Sequence, residues 1–288
     1  SDLEVVVGAL QDHEAGVGEV CAGDGHRHLR QLLGEGAAEG GRGVCGGVVG
    51  SVLGGHGASL DLGVVDGATV SALDRLVLEV AGVGAVGETA PGLVIVSEDP
   101  AGDLSRAALA CGADVVFADP DYARCQAAAA LGARVVGDRR LDDFLAEVAA
   151  ETGGPALVIG RAPKSLRRLD YVARSVAGAD FAGARVVLGG NNKHLSRSMN
   201  DTLAESFACV AASRGRGKFR CLVASGPREV SYEPTLGDGL VAVGGVFSGA
   251  KPDRGGELLR SCLPAEPGRL LDLGCGNGSV TRDLGGVA

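Results

Sequence analysis

Four residues near the end of the chain have the types and the spacing of a ligand-binding turn. Asp272 closes an apolar run, and Gly274, Gly276 and Gly278 follow it at every second position. An apolar run of this kind is typical of a buried parallel strand. Alternate glycines let the backbone turn sharply and approach a ligand without a Cβ in the way. A helix after the turn would present free N–H groups to a polar ligand, so the pattern predicts a cofactor loop.

The spacing of this loop differs from the dinucleotide fingerprint, in which the third glycine comes three residues after the second. It resembles the first motif of class I S-adenosylmethionine-dependent methyltransferases, Asp-x-Gly-x-Gly-x-Gly. The resemblance implies S-adenosyl-L-methionine as the cofactor. The residues expected to bind it are Asp272, Gly274, Gly276, Asn277 and Gly278. A glycine-rich strand–turn–helix that binds no cofactor is the alternative.

The sequence continues for only ten residues beyond Gly278. A parallel strand–helix–strand unit needs roughly 30 residues, and an acidic residue for the ribose hydroxyls is expected about 20 residues further on. We therefore expect the opening of a methyltransferase domain, inactive on its own and weak at best in binding the cofactor. The strand at 270–273 is expected to be frayed or to be paired with another surface.

The composition limits the possible functions. The chain has 288 residues, a hydrophobic content of 45% and 3% aromatics without Trp, so its cores must consist of Val, Leu and Ala. The net charge of −9 argues against nucleic-acid binding by the whole surface and leaves room for a local basic patch. No apolar run approaches the roughly 18 residues of a membrane span, and the acidic start lacks the basic region of a signal peptide. A cytoplasmic protein without membrane contact is predicted.

The eight cysteines form no Cys-x-x-Cys pair, which favours reduced and mostly buried thiols. A zinc site could be imagined among residues near the start of the chain, but their spacing matches no zinc pattern, and we expect no metal. These residues are Cys21, His26, His28, Cys45 and His56.

Three regions follow from the patterns. Residues 1–65 are a glycine-rich extension, interpreted either as a flexible segment or as unreliable sequence, with no function assigned. Residues 66–230 alternate strands and helices, which predicts a Rossmann-like α/β domain with a mostly parallel sheet. Residues 231–288 are a linker and the beginning of a second copy. The predicted strands of the middle region are 93–96, 114–117, 134–136, 156–159, 185–188, 207–213 and 219–225, the last two forming a hairpin with an antiparallel strand near 219–225. The predicted helices begin with one capped by Ser71 and continue with 99–111, 120–131, 141–151, 165–177 and 195–206.

The first crossover of the middle region, residues 97–103, is the place where such a sheet would bind a cofactor. It has one glycine instead of three, a proline in the turn and three carboxylates. Because S-adenosylmethionine has a carboxylate of its own, this crossover is unsuited to it. The middle domain is therefore predicted to be a degenerate copy that does not bind the cofactor.

A degenerate domain followed by an intact first motif resembles the two-domain ribosomal RNA guanine-N2 methyltransferases of bacteria. The segments that carry the resemblance are 161–165, 190–199, 245–248, 251–255 and the motif at Asp272. It implies a first domain that assists folding and RNA binding, and a second that transfers a methyl group from the cofactor to a flipped guanine. The family's Asn-Pro-Pro-Phe motif is absent here, and Ala162-Pro163-Lys164 stands at the equivalent place of the first domain. No catalytic residue is therefore assigned.

Basic residues cluster where two elements of the middle domain end. Lys193 and Arg197 follow the fifth strand, and Arg214, Arg216 and Lys218 cross the hairpin turn. We predict that they contact phosphates of ribosomal RNA or a ribosomal subunit, bound by a monomer; a solvated rim with local ion pairs is the alternative. Lys164, Arg167 and Arg168 form a further basic cluster.

Three other features have two interpretations each. Asn191-Asn192 is a turn or a ligand site, and Phe247 is an apolar plug or a border of the cofactor site. Asp253 is a helix cap or a cofactor contact.

Two further functions stay open from the sequence. One is a non-catalytic RNA- or ribosome-binding module built on an inactive methyltransferase fold. The other, favoured less, is a small-molecule methyltransferase with an accessory domain. Cofactor titration separates an enzyme from a binding module, and RNA binding by residues 66–230 separates both from the small-molecule enzyme.

Overall fold

The structure is a computed structural model and describes residues 3–7, 64–65, 68–84, 91–264, 269–282 and 284. For 3–7, 64–65, 68–69 and 269 it describes the backbone alone. The zinc candidates considered above, Cys21, His26, His28, Cys45 and His56, lie outside these residues, as does most of the glycine-rich extension.

A seven-stranded sheet forms the centre of the middle domain. Its strands are β4 (Leu93–Ser97), β5 (Asp114–Ala118), β6 (Arg134–Val135), β7 (Ala156–Arg161), β8 (Ala184–Asn191), β9 (Phe207–Ala212) and β10 (Phe219–Pro227). They lie in the order β6-β5-β4-β7-β8-β10-β9. All run parallel except β10, which is antiparallel to both of its neighbours. The predicted α/β class, with one antiparallel strand in the hairpin, is confirmed.

Helices cover both faces of this sheet. Side chains alternate between the two faces along each strand, so each face has its own hydrophobic core under its helices. Leu93 and Ile95 of β4 belong to one hydrophobic core, whereas Val94 and Val96 belong to the other. The chain passes from β4 to β5 on one side and returns to β7 on the other, which places the topological switch point between β4 and β7. The helices of this domain are α1 (Ala72–Ala81), α2 (Asp103–Ala110), α3 (Tyr122–Ala130), α4 (Leu141–Thr152), α5 (Leu166–Ala177) and α6 (Arg197–Ser206).

Helix starts follow their capping residues. Ser71 caps α1 by accepting a hydrogen bond from the N–H of Asp74 at 3.1 Å, as predicted. The helix predicted from residue 99 begins only at Asp103, which corrects that boundary. Gly102 adopts a left-handed φ of +73° in front of it, so residues 99–102 form a turn. A proline at position 100 fits that turn better than the middle of a helix.

Short elements outside the large sheet complete the described fold. Strand β13 (Arg269–Leu273) pairs in parallel with β1 (Leu3–Val7), with Val6 opposite Asp272. The extension therefore contributes a partner to the motif strand, and the valines of β1 have the β-branched side chains that favour strands. The remaining elements are β2 (Val64–Val65), β3 (Ala68–Thr69), β11 (Thr235–Gly237), β12 (Leu240–Ala242) and α7 (Arg254–Ser261).

Candidate functional site

The predicted cofactor loop leaves β13 along a left-handed path. The φ angles of Gly274, Gly276 and Gly278 are +78°, +56° and +82°, a region that glycine adopts without steric cost. The N–H of Gly278 donates to the carbonyl of Cys275 at 2.8 Å, and the N–H of Arg282 donates to the carbonyl of Gly278 at 2.9 Å. A strand and a glycine turn therefore follow one another as the motif predicts. The expected helix is not formed among the described residues after Gly278, where a single helical turn stands in its place.

Asp272 directs its carboxylate into the protein next to this loop. Both carboxylate oxygens are buried, and neither has a hydrogen-bond partner among the described residues. Burial raises the pKa of the Asp272 carboxyl above its usual range. Because an unpaired buried carboxylate is costly, the position suits a ligand group that donates hydrogen bonds or carries positive charge.

Asn277 differs from the glycines because its side chain is used inside the protein. It is 4% exposed, and its amide nitrogen donates to the carbonyls of Gly249 and Lys251 at 2.7 and 2.8 Å. Its amide oxygen accepts from the hydroxyl of Ser279 at 2.5 Å. The side chain thus joins the loop to residues 231–253, which we call the linker. The place of Asn277 in the glycine motif did not indicate this role.

Asp253, one of the residues left open by the sequence, caps helix α7. Its carboxylate accepts from the N–H of Gly256 at 2.7 Å, and its own N–H donates to the hydroxyl of Ser279 at 2.9 Å. The capping interpretation is therefore confirmed. Phe247 is 55% exposed and does not serve as a buried plug.

The first crossover of the middle domain is occupied by its own polar side chains. Asp99 is 1% exposed and accepts from the N–H and the hydroxyl of Ser105, each at 2.9 Å. Asp103 is paired with Arg106 at 2.7 Å. Asp103 and the Oδ2 atom of Asp99 are therefore engaged within the domain, whereas Oδ1 of Asp99 is buried with no hydrogen-bond partner among the described residues.

Arg161 fills the switch point from the end of β7. Its guanidinium donates to the carboxylate of Asp74 at 2.8 and 3.2 Å, and Asp74 is wholly buried. The hydroxyl of Ser71 donates to the same carboxylate at 2.6 Å. Arg161 lies in a segment that carried the family resemblance, but its partner 87 positions away could not be read from the sequence.

Two of the predicted basic clusters lie side by side. Lys193 and Arg197 are exposed and flank the turn after β8, where the N–H of Asn192 donates to the carbonyl of Lys218 at 2.9 Å. This turn is closed by the N–H of Lys193, which donates to the side chain of Asn191 at 3.1 Å. The turn interpretation of Asn191-Asn192 is confirmed, and it brings the first cluster next to the hairpin.

The hairpin cations differ in their surroundings. Arg214, Arg216 and Lys218 are all exposed, but Arg216 forms an ion pair with Glu79 at 2.6 Å. The ammonium of Lys218 lies 5.4 Å from the centre of the Phe219 ring. Arg214 and Lys218 are thus the better placed of the three to bind an external anion.

The third basic cluster lies against the linker. A Cβ on Gly245 would lie 3.1 Å from the backbone nitrogen of Arg168, and a Cβ on Gly249 would lie closer still to a guanidinium nitrogen of Arg167. The cluster at the start of α5 is therefore a contact between the middle domain and the linker as well as a source of positive charge.

Other classes of site receive no support from the described part of the chain. Among these residues no group of three or more His, Cys, Asp or Glu side chains could hold a metal ion. Within the same residues no helix is long and apolar enough to cross a membrane.

Two family models match this chain. The RLMG N-terminal domain matches residues 69–228, which is more than half of the chain. The chain belongs to this family. A second model, the methyltransferase small domain, matches residues 239–285, a range that contains the linker contacts and the glycine loop.

The curated relatives carry the name ribosomal RNA large subunit methyltransferase G. The protein of Pseudomonas syringae pv. tomato is 38% identical over 132 residues, which cover 42% of this chain and 35% of the relative. That of Pseudomonas syringae pv. syringae is 32% identical over 210 residues, covering 68% of this chain and 55% of the relative. The chain thus spans about half the length, or less, of these relatives. The predicted resemblance to bacterial ribosomal RNA methyltransferases is confirmed.

Solved structures give a more distant likeness. A T. thermophilus 16S rRNA N2 methyltransferase in complex with AdoMet and guanosine matches with a TM-score of 0.45 and 18% identity. The match covers 66% of this chain and 51% of that one.

Proposed function

We propose that these residues belong to an S-adenosylmethionine-dependent methyltransferase that modifies the N2 amine of a guanine in ribosomal RNA. The middle domain is the structural and RNA-binding part. The loop after β13 is the cofactor-binding part, through Asp272, Gly274, Gly276, Gly278 and the backbone of Asn277. Family membership and the relatives' names support the reaction class, and the guanine target rests on the sequence resemblance.

One observation supports the cofactor site most directly. The loop combines three left-handed glycines with the buried carboxylate of Asp272 at its base, which has no hydrogen-bond partner in the described part of the chain. The glycines leave the backbone open to close approach, and the carboxylate is an acceptor for a cationic amino group such as that of a methionine moiety. The residues present fit S-adenosylmethionine, which when bound supplies an electrophilic methyl group.

The chain's own residues would bind and orient the cofactor. The loop backbone would donate hydrogen bonds to its polar end, and Asp272 would accept from its amino group. The loop residues and Asp272 would contact only the methionine end of the cofactor. We therefore expect weak binding and no methyl transfer by this chain alone, since a ligand that buries only part of its surface gains little against the cost of immobilisation.

The RNA-binding part of the proposal rests on the adjacent turns at the ends of β8 and β9. Lys193, Arg197, Arg214 and Lys218 are exposed there in a chain of net charge −9. Arg216 is shared with Glu79 and would contribute less. Phosphate contacts through such cations are independent of base sequence.

Equilibrium titration of the chain with S-adenosylmethionine tests the cofactor site. Weak binding that is lost in Gly276→Val supports it, because valine is strained at a φ of +56°. Equal binding by both proteins would place the cofactor elsewhere. Gly92→Val, at a site with no heavy atom within 4 Å of the added Cβ, is the control for a general effect of valine.

A non-catalytic RNA- or ribosome-binding module is the second candidate. Its support is the middle domain, where Arg161, Asp74 and Asp99 fill the switch point. Under this alternative the chain binds ribosomal RNA and shows no interaction with S-adenosylmethionine at millimolar concentration.

A further inference from the structure

The side chain of Asn277 is the crossing point of two segments. Its two amide hydrogens are donated to the carbonyls of Gly249 and Lys251 at 2.7 and 2.8 Å. Its oxygen accepts from the hydroxyl and the N–H of Ser279 at 2.5 and 3.2 Å. An amide has two donors and one acceptor oxygen, so the hydrogen-bonding capacity of Asn277 is used entirely within the protein.

The network continues from Ser279 into helix α7. The hydroxyl of Ser279 accepts from the N–H of Asp253 at 2.9 Å, and the carboxylate of Asp253 caps the helix. Gly256 in the first turn packs so closely that an added Cβ would lie 2.8 Å from the Cβ of Ser279. The glycine loop and α7 are therefore held at a fixed separation.

On its other side, the linker packs against the middle domain. The N–H of Gly244 donates to the hydroxyl of Tyr232 at 2.8 Å. The ring of Tyr232 lies 4.3 Å, between centroids, from that of Tyr171 in α5. Gly249, whose carbonyl Asn277 binds, lies against the guanidinium of Arg167 at the start of α5. A continuous set of contacts thus runs from the middle domain to the glycine loop.

We propose that Asn277 is a positioning residue that couples the middle domain to the cofactor loop. Its side chain binds linker carbonyls and does not contact the cofactor, whereas its backbone belongs to the loop. The identity of the ligand in this proposal rests on the proposed function, whereas the coupling between the middle domain and the loop does not. The position requires an amide because two neighbouring carbonyls must both receive a hydrogen bond. A carboxylate of the same shape would face them with negative charge.

Asn277→Asp provides the test, with hydrogen exchange of the chain followed by mass spectrometry over residues 249–253 and 276–282. At neutral pH we expect protection in both segments to fall roughly 30-fold, which corresponds to the loss of two hydrogen bonds of about 1 kcal/mol each at about 1.4 kcal/mol per factor of ten. Asn192→Asp, at an exposed turn position, is the matched control and should leave both segments unchanged.

The pH dependence of Asn277→Asp distinguishes positioning from general damage. A protonated aspartic acid can donate one hydrogen bond, so protection corrected for intrinsic exchange should partly return as the pH falls, whereas Asn277→Ala should show no return. If Asn277→Asp does not fold, Ser279→Ala takes its place. This variant removes a single hydroxyl and should give a milder loss of protection in the same two segments. Unchanged protection in the linker segment of all three variants would overturn the proposal.

Cofactor titration of the same variants separates this inference from the proposed function. If Asn277 positions the loop, S-adenosylmethionine binding and loop protection fall together. Loss of binding with unchanged protection would overturn the inference and make the side chain a direct ligand. Loss of protection in a protein whose wild type does not bind the cofactor would support the coupling and contradict the proposed function.

Discussion

The guanidinium of Arg161 lies 2.8 Å from the carboxylate of Asp74 and fixes the end of β7 to helix α1. Asp74 is wholly buried, whereas the Arg161 side chain is 31% exposed. A buried carboxylate is tolerated only when it is paired and hydrogen-bonded. The side chains of Arg161 and Asp74 therefore occupy the switch point of the middle domain.

Arg161→Met should destabilise the chain by about 3 kcal/mol, the lower end of the range for breaking a buried pair, because Asp74 would lose its cation. Urea unfolding measures this change. Arg139→Met removes the exposed partner of Glu147 and should cost much less, because exposed ion pairs contribute little to stability. A similar decrease in the free energy of unfolding in both variants would show that the buried pair stabilises the chain no more than the exposed pair does.

Gly160→Ala should destabilise the sheet severely. A Cβ at this position would fall directly on the carbonyl oxygen of Ser97 in the neighbouring strand, and a backbone atom cannot move aside as a side chain can. We expect a loss of about 3 kcal/mol or more, measured by thermal or urea unfolding. Gly183→Ala, where the added Cβ meets nothing within 4 Å, should unfold at nearly the wild-type midpoint. A tolerated Gly160→Ala would contradict the close approach of β4 and β7.

Asp99 predicts a pH dependence of stability. Burial raises the pKa of its carboxyl, so the folded state retains the proton to higher pH than the unfolded state. Below the unfolded pKa of about 3.9 both states are protonated. As the pH rises from there through the folded pKa, the wild type should lose stability relative to Asp99→Asn. Unfolding free energies of the two proteins across this range give the difference, and a constant difference would contradict the assignment. Asp201→Asn, at an exposed site, is the control.

RNA binding should depend on Arg214 and Lys218 through charge alone. Changing both to Ala should weaken binding to ribosomal RNA and reduce the slope of log affinity against log salt by about 1.5, since fewer counterions are released. Arg216→Ala should have a smaller effect because its guanidinium is shared with Glu79. Fluorescence anisotropy over a salt series measures both quantities. An unchanged slope in the double variant would leave this turn an ordinary solvated rim.

Elements set by local pattern could be predicted from the sequence, and contacts between distant positions could not. The caps at Ser71 and Asp253 follow from side chains that bond within their own first turn. The pairing of Arg161 with Asp74 joins residues 87 positions apart, which no periodicity encodes. The glycine motif predicts that Asn277 contacts a ligand. Only the fold shows that the carbonyls of Gly249 and Lys251 accept the hydrogen bonds of its amide group.

The most direct test of the account is to map S-adenosylmethionine onto the chain by nuclear magnetic resonance with glycine amides labelled. The account predicts concentration-dependent shifts at Gly274, Gly276 and Gly278, competition by S-adenosylhomocysteine, and no change at Gly102 in the crossover after β4. Shifts centred on Gly102, or no shifts at millimolar cofactor, would contradict the claim that the loop after β13 is the cofactor site.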